Sequence, residues 1–125
     1  MLELIKKSDG VWTMAAGMVL CTPQHVSFLR EMAPFTSKRR ARILIHREGD
    51  KLHEMLIAFC AGSTIEMHSH EAVESLYVID GRLIVHFDGD PSLGLSRGDF
   101  LRIPAGVRHQ PEPVSDCVIL ETALK

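Results

Sequence analysis

His68 and His70 are separated by one residue, Ser69, and Glu74 follows four residues after His70. In an extended segment, side chains two apart leave the same face, so both imidazoles project together and Glu74 keeps their parity. A bend within residues 71–73 would bring its carboxylate alongside. Two neutral imidazoles and a carboxylate form a borderline-soft donor set that suits Fe(II), Mn(II), Ni(II), Cu(II) or Zn(II) and suits Ca(II) poorly. Taken alone, a His-x-His pair is more often two solvated surface histidines, so its surroundings decide between the readings.

Other residues could tune such a site. Glu66 shares the parity of His68 and His70 and should point inward, either to hold an imidazole N–H or to act as a general base; a solvated position at the rim is the alternative. Lys38, Arg39, Arg40 and Arg42 form the densest basic run. It is either a solvated loop entering a strand, or it sets Arg40 or Arg42 at the pocket mouth to grip a carboxylate or phosphate with paired hydrogen bonds. On that strand Arg40, Arg42, Leu44 and His46 should share one face. His46, His53 and His86 read as strand residues that meet solvent or make one hydrogen bond, with a supporting role at the site as the alternative. Glu66, Arg42 and His53 are therefore the candidates beyond the metal ligands. His25 should face water, and Trp12 and Phe100 should lie in the core.

The elements that must position these groups are mostly strands. From Arg40 onward no stretch keeps helical periodicity. Turn signals recur about every ten residues, at Gly49-Asp50, Gly62-Ser63, Asp80-Gly81, Asp88-Gly89-Asp90-Pro91, Arg97-Gly98-Asp99 and Pro104-Ala105-Gly106. The intervening runs predict strands near 41–47, 53–60, 65–70, 74–79, 82–87, 99–103 and 115–122. Residues 1–20 read as one or two strands broken at Asp9-Gly10. Thr22-Pro23 supplies a cap and a proline for a helix over about 23–33, with Val26, Leu29 and Met32 on one face and Pro34 at its end. Many short strands without crossover helices indicate an all-β antiparallel sandwich or barrel.

The bulk figures bound the function without naming it. A hydrophobic share of 46% beside 24% charged residues is a globular composition, which argues against disorder. A formal charge of −2 carries no bias toward nucleic acid or an anionic membrane, so neither is an expected partner. Cys21, Cys60 and Cys117 show no paired spacing, which fits a reducing compartment. Lys6 and Lys7 ahead of the apolar stretch Val11–Leu20 imitate a lipoprotein leader. Leu20, however, occupies the position before Cys21 where a small residue is wanted, and the stretch is far short of the roughly 20 apolar residues of a span. The expected location is the cytoplasm.

The spacing around the histidines carries a resemblance. Gly62, five residues, His68-Ser69-His70, three residues, Glu74, six residues and Gly81 match the first cupin motif. After sixteen residues the second motif follows: Gly98, five residues, Pro104-Ala105-Gly106, two residues and His109. Only its final asparagine departs, replaced by Pro113. The chain thus resembles the cupins, which implies an antiparallel jelly-roll β-barrel with an N-terminal strand lead-in and one short helix. The implied organisation is a single domain over 1–125, with the lead-in at 1–36 and the barrel at 40–122. The implied site is one divalent transition metal held by His68, His70, Glu74 and His109, with positions left open for water, substrate or oxygen. Arg40-Ala41-Arg42, Leu52-His53-Glu54-Met55 and Glu74-Ser75 also resemble the small WbuC-type cupins of bacterial polysaccharide gene clusters, although Thr36-Ser37-Lys38-Arg39-Arg40 departs from their usual lead-in. This implies a small polar ligand, such as a sugar or sugar nucleotide. Small cupins commonly pair, and the lead-in strands and the helix at about 23–33 are surplus to one minimal barrel, so a homodimer is expected in which residues 1–20 add to or pack on a partner sheet. An Fe(II) or Ni(II) dioxygenase and a non-catalytic binding or sensing module are the alternatives.

Overall fold

The computed structural model describes residues 3–15 and 17–125; residues 1, 2 and 16 of the expected lead-in lie outside the described residues. Ten strands and one α-helix follow in chain order. They are β1 (Ile5–Ser8), β2 (Val11–Thr13), α1 (Pro23–Met32), β3 (Arg40–Glu48), β4 (Leu52–Phe59), β5 (Val73–Asp80), β6 (Arg82–Phe87), β7 (Leu93–Ser96), β8 (Phe100–Ile103), β9 (His109–Pro113) and β10 (Cys117–Leu124). A seven-stranded sheet runs β1-β2-β3-β4-β10-β5-β8, and a three-stranded sheet runs β7-β6-β9. All strand pairs are antiparallel except β2 on β3.

Alternation along the strands builds two cores. Met55, Ile57, Leu76, Val78 and Ile119 from the large sheet meet Leu83 and Val85 from the small one, closing the jelly roll. The opposite face of the large sheet presents Ala41, Ile43, Leu56, Ala58 and Val118 to Leu29 of α1 and to Trp12. The expected helix face is thus confirmed, with Leu29 fully buried and Val26 and Met32 packed beside it. Pro34 does not stop the chain at once, because a 3-10 turn over Ala33–Phe35 extends the helix. His25 is buried rather than facing water. Its Nδ1 accepts the backbone N–H of Thr22 at 2.9 Å, so the imidazole caps the helix start as a glutamate would in a capping box.

Several strand expectations need correction. The segment near 65–70 is not a strand; within it only His68 makes a bridge, to His109. β7 and β9 were not foreseen. β9 carries Pro111 and Pro113, which count against a strand in sequence, yet it is the edge of the small sheet, where a missing N–H leaves no bond unmade. Phe100 is exposed, since it points outward from the edge strand β8 beside Tyr77. His46 does not share the face of Arg40, Arg42 and Leu44. A bulge between Leu44 and His46 sets His46 opposite Glu54, whose side chain leaves the outer face. Among the described residues no helix is long and apolar enough to cross a membrane.

Candidate metal centre

His109 opens β9 and Glu74 is the second residue of β5, while His68 and His70 lie on the irregular segment before β5. Two backbone hydrogen bonds lock that segment to β9: His68 N–H to His109 O at 2.9 Å and His109 N–H to His68 O at 2.8 Å. Gly106 donates to the His70 carbonyl at 2.8 Å, and the Gln110 side chain donates to the Ile65 carbonyl at 2.8 Å. The two motifs are therefore tied through the main chain. One donor atom from each of His68, His70, Glu74 and His109 lies within 4.8 Å of all the others.

Ring orientation is set by carbonyls. Nδ1–H of His68 donates to the Glu66 carbonyl at 2.7 Å, and Nδ1–H of His109 donates to the Val107 carbonyl at 3.0 Å. Each bond fixes the tautomer whose Nε2 lone pair is free for a metal. Nε2 of His70 and of His109 stand 3.2 and 3.0 Å from Glu74 Oε2. Burial alone would push the His109 imidazole down, but the Glu74 carboxylate and the Val107 carbonyl outweigh it and leave the group above its ordinary value. Despite their proximity, Glu74 Oε2 and His109 Nε2 are buried without a properly directed hydrogen bond. Two orphan lone-pair atoms of this kind are costly unless something satisfies them, and a divalent cation coordinated by both does so. The donor set fits such an ion, with all four residues placed to hold it.

His68, His70 and Glu74 line a cavity of about 820 Å³. Glu66 does not send its carboxylate to a histidine; its side chain is exposed at the cavity edge, and the contact to His68 comes from its backbone. Arg42 reaches the cavity from β3 and contacts Met55 Sδ through Nη1 at 3.7 Å. His53 lines it from β4, with Nε2 3.1 Å from Glu121 Oε1 on β10. Glu121 is the residue that sequence reasoning missed. The signal was present, because it continues the inward parity of Cys117 and Ile119 and puts a carboxylate where the pattern calls for an apolar side chain. His86 is elsewhere, bonded to Ser92 Oγ at 2.7 Å and Glu112 Oε1 at 2.6 Å beside the small sheet.

The cupin domain family model matches residues 55–122, more than half of the chain. An RmlC-like cupin from Desulfovibrio desulfuricans is 28% identical and superposes with a TM-score of 0.59 over 68% of this chain and 81% of its own. An RmlC-like cupin from Shewanella frigidimarina is 24% identical, with a TM-score of 0.61 over 68% and 75% of the two chains. A conserved protein of unknown function from Streptococcus pyogenes reaches a TM-score of 0.64 at 18% identity, over 71% and 76%. No curated protein matches the sequence. Motif spacing, jelly-roll topology and the family match agree: this chain belongs to the cupin family.

Proposed function

We propose that the chain is a metal-dependent small cupin of the WbuC type that binds, and in the full reading transforms, a small polar molecule such as a sugar derivative. The observation that carries this is the orphaned pair Glu74 Oε2 and His109 Nε2 within a four-donor cluster whose His68, His70 and Glu74 line a large cavity. Support for the subfamily comes from the arginine-rich entry to β3, from Leu52-His53-Glu54-Met55 and from Glu74-Ser75.

His68, His70, Glu74 and His109 would hold Fe, Mn, Ni, Zn or Cu as a divalent ion, which supplies a Lewis acid able to polarise a ligand oxygen. The chain's own residues then divide the remaining work. The Glu66 and Val107 carbonyls keep the His68 and His109 rings aimed, and the apolar walls from Met55, Ile57 and Leu76 limit water. His53 and Glu121 share one proton-bearing contact within the same cavity, which gives a bound ligand a place to lose or gain a proton.

Elemental analysis of protein purified without air, then reconstituted separately with each of the five metals, tests the reading. About one ion per chain is expected in wild type. Wild-type protein that stays at background after reconstitution would sink it.

A further inference from the structure

Arg40 and Arg42 lie two apart on β3, both half-buried and both lining the cavity that holds the histidine cluster. Neither guanidinium is paired with a carboxylate among the described residues, although Arg30 and Arg108 both are. Among the described residues the one hydrogen-bond partner of the Arg42 side chain is the Met55 thioether sulfur. Burial and the like charge of Arg42 push the Arg40 guanidinium down against the weaker opposing charge of Glu121. Two adjacent half-buried cations with no carboxylate in contact are an unbalanced arrangement.

The backbone holds this arrangement in place. Arg39 has φ 54, the left-handed region that is unfavourable for a side chain of this size. Its carbonyl is pinned by the Cys60 N–H at 3.0 Å and by Ser63 Oγ at 3.0 Å. On the other side, Asp9 accepts from the Ser37 N–H at 2.9 Å and from its hydroxyl at 2.8 Å. The loop that delivers the basic run is tied at both ends instead of waving in solvent. Lys38, Arg40 and Arg42 also line a second cavity of about 300 Å³ next to the first, so the cations stand where the two meet.

Charge bookkeeping inside the main cavity points the same way. Glu74 would be neutralised in part by the metal it ligates, Glu121 is already engaged by His53, and Glu66 stands in solvent at the cavity edge, outnumbered by Lys38, Arg39, Arg40 and Arg42. With a divalent ion present the wall is net positive, and the two arginines are the surplus.

We propose that Arg40 and Arg42 form an anchor for the phosphate group of a small organic ligand whose oxygen donors reach the metal cluster. The inference rests on the metal-site reading for the second contact but not for the anchor itself. A guanidinium grips a phosphate through two parallel hydrogen bonds, and two of them match a dianion better than a single carboxylate.

The test titrates 3-phosphoglycerate and glycerate, which differ by the phosphate, into wild type and an Arg40→Gln/Arg42→Gln variant. Each protein is used with and without zinc, and metal content is measured in the same samples. Wild type should prefer the phosphorylated compound by roughly tenfold or more with or without zinc, and the variant should lose that preference at unchanged zinc content. Zinc should tighten both compounds. Equal affinity of wild type for the two compounds, or a preference that survives in the variant, overturns the anchor whatever the variant's stability. An arginine-dependent preference with no effect of zinc upholds the anchor and fails the metal reading instead.

Discussion

Each imidazole whose Nδ1–H is spent on a main-chain carbonyl can offer a metal only its other nitrogen, so His68 and His109 are committed to one role by the Glu66 and Val107 carbonyls. Replacing either by alanine removes one of four donors. The expected loss of metal affinity exceeds the roughly 10–100-fold that follows loss of an outer partner, and titration with a competing chelator measures it. Glu74→Gln should retain more, because an amide oxygen still coordinates although the charge is gone. A glutamine variant weaker than both alanine variants would contradict this order. These four residues were legible because the motif fixes them by spacing alone. His46 was not, since it sits just past a bulge that no local signal announces; Glu121 could be placed by the inward parity of Cys117 and Ile119, but a carboxylate in a strand reads first as a solvent-facing residue. The cysteines behave as inert hydrophobes: burial and the nearby Asp116 carboxylate push the Cys117 thiol up to about 12, and burial also raises Cys60 and Cys21. Alkylation of native protein at pH 8 should therefore be slow and reach the partly exposed Cys21 first, with Cys60 and Cys117 reacting only after denaturation, as mass spectrometry would count.

At the scale of elements, the hairpin from β5 to β6 turns on Gly81. Its φ is 82, and a Cβ there would stand 2.2 Å from the Asp116 carbonyl oxygen and 2.7 Å from Cys117 Cα, both backbone atoms that cannot step aside. Gly81→Ala should cost at least about 1–3 kcal/mol from the strained backbone alone, and more once β10 is pushed away. Urea unfolding measures the loss, and a variant within error of wild type would remove the clash argument. The elements that the sequence made readable are those with apolar or alternating runs beside turn residues, such as β4, β6 and β10. The unreadable ones broke this rule. β7 contains Gly94 and is largely exposed, β9 contains two prolines, and the segment at 65–70 alternates like a strand but spends its main chain on a single bridge and on loop contacts. That last error was harmless to the site, because the bridge at His68 still delivers the two histidines beside Glu74.

Across the whole molecule, the large sheet separates two cores, and only the inner one borders the metal cluster. Leu29→Ala in the outer core should destabilise the protein by about 2–5 kcal/mol while leaving metal stoichiometry intact, a split that unfolding and elemental analysis read independently. The outer face is only partly covered, since α1 lies mainly over β3 and β4 and reaches β5 at Asp80 through Arg30. On β5 and β8, Tyr77 and Phe100 face each other across the strand pair with 43% and 64% of their surface in water. β8 is also an edge strand of the large sheet. Apolar groups beside an open edge invite association, and closed two-fold pairing is the commonest arrangement that satisfies both without runaway assembly. We therefore expect a homodimer that covers this end of the sheet. Light scattering should give twice the chain mass at micromolar concentration, and Phe100→Lys should shift the population toward monomer without altering metal content. A wild-type protein that runs as a monomer across that range would return Tyr77 and Phe100 to the status of isolated surface aromatics.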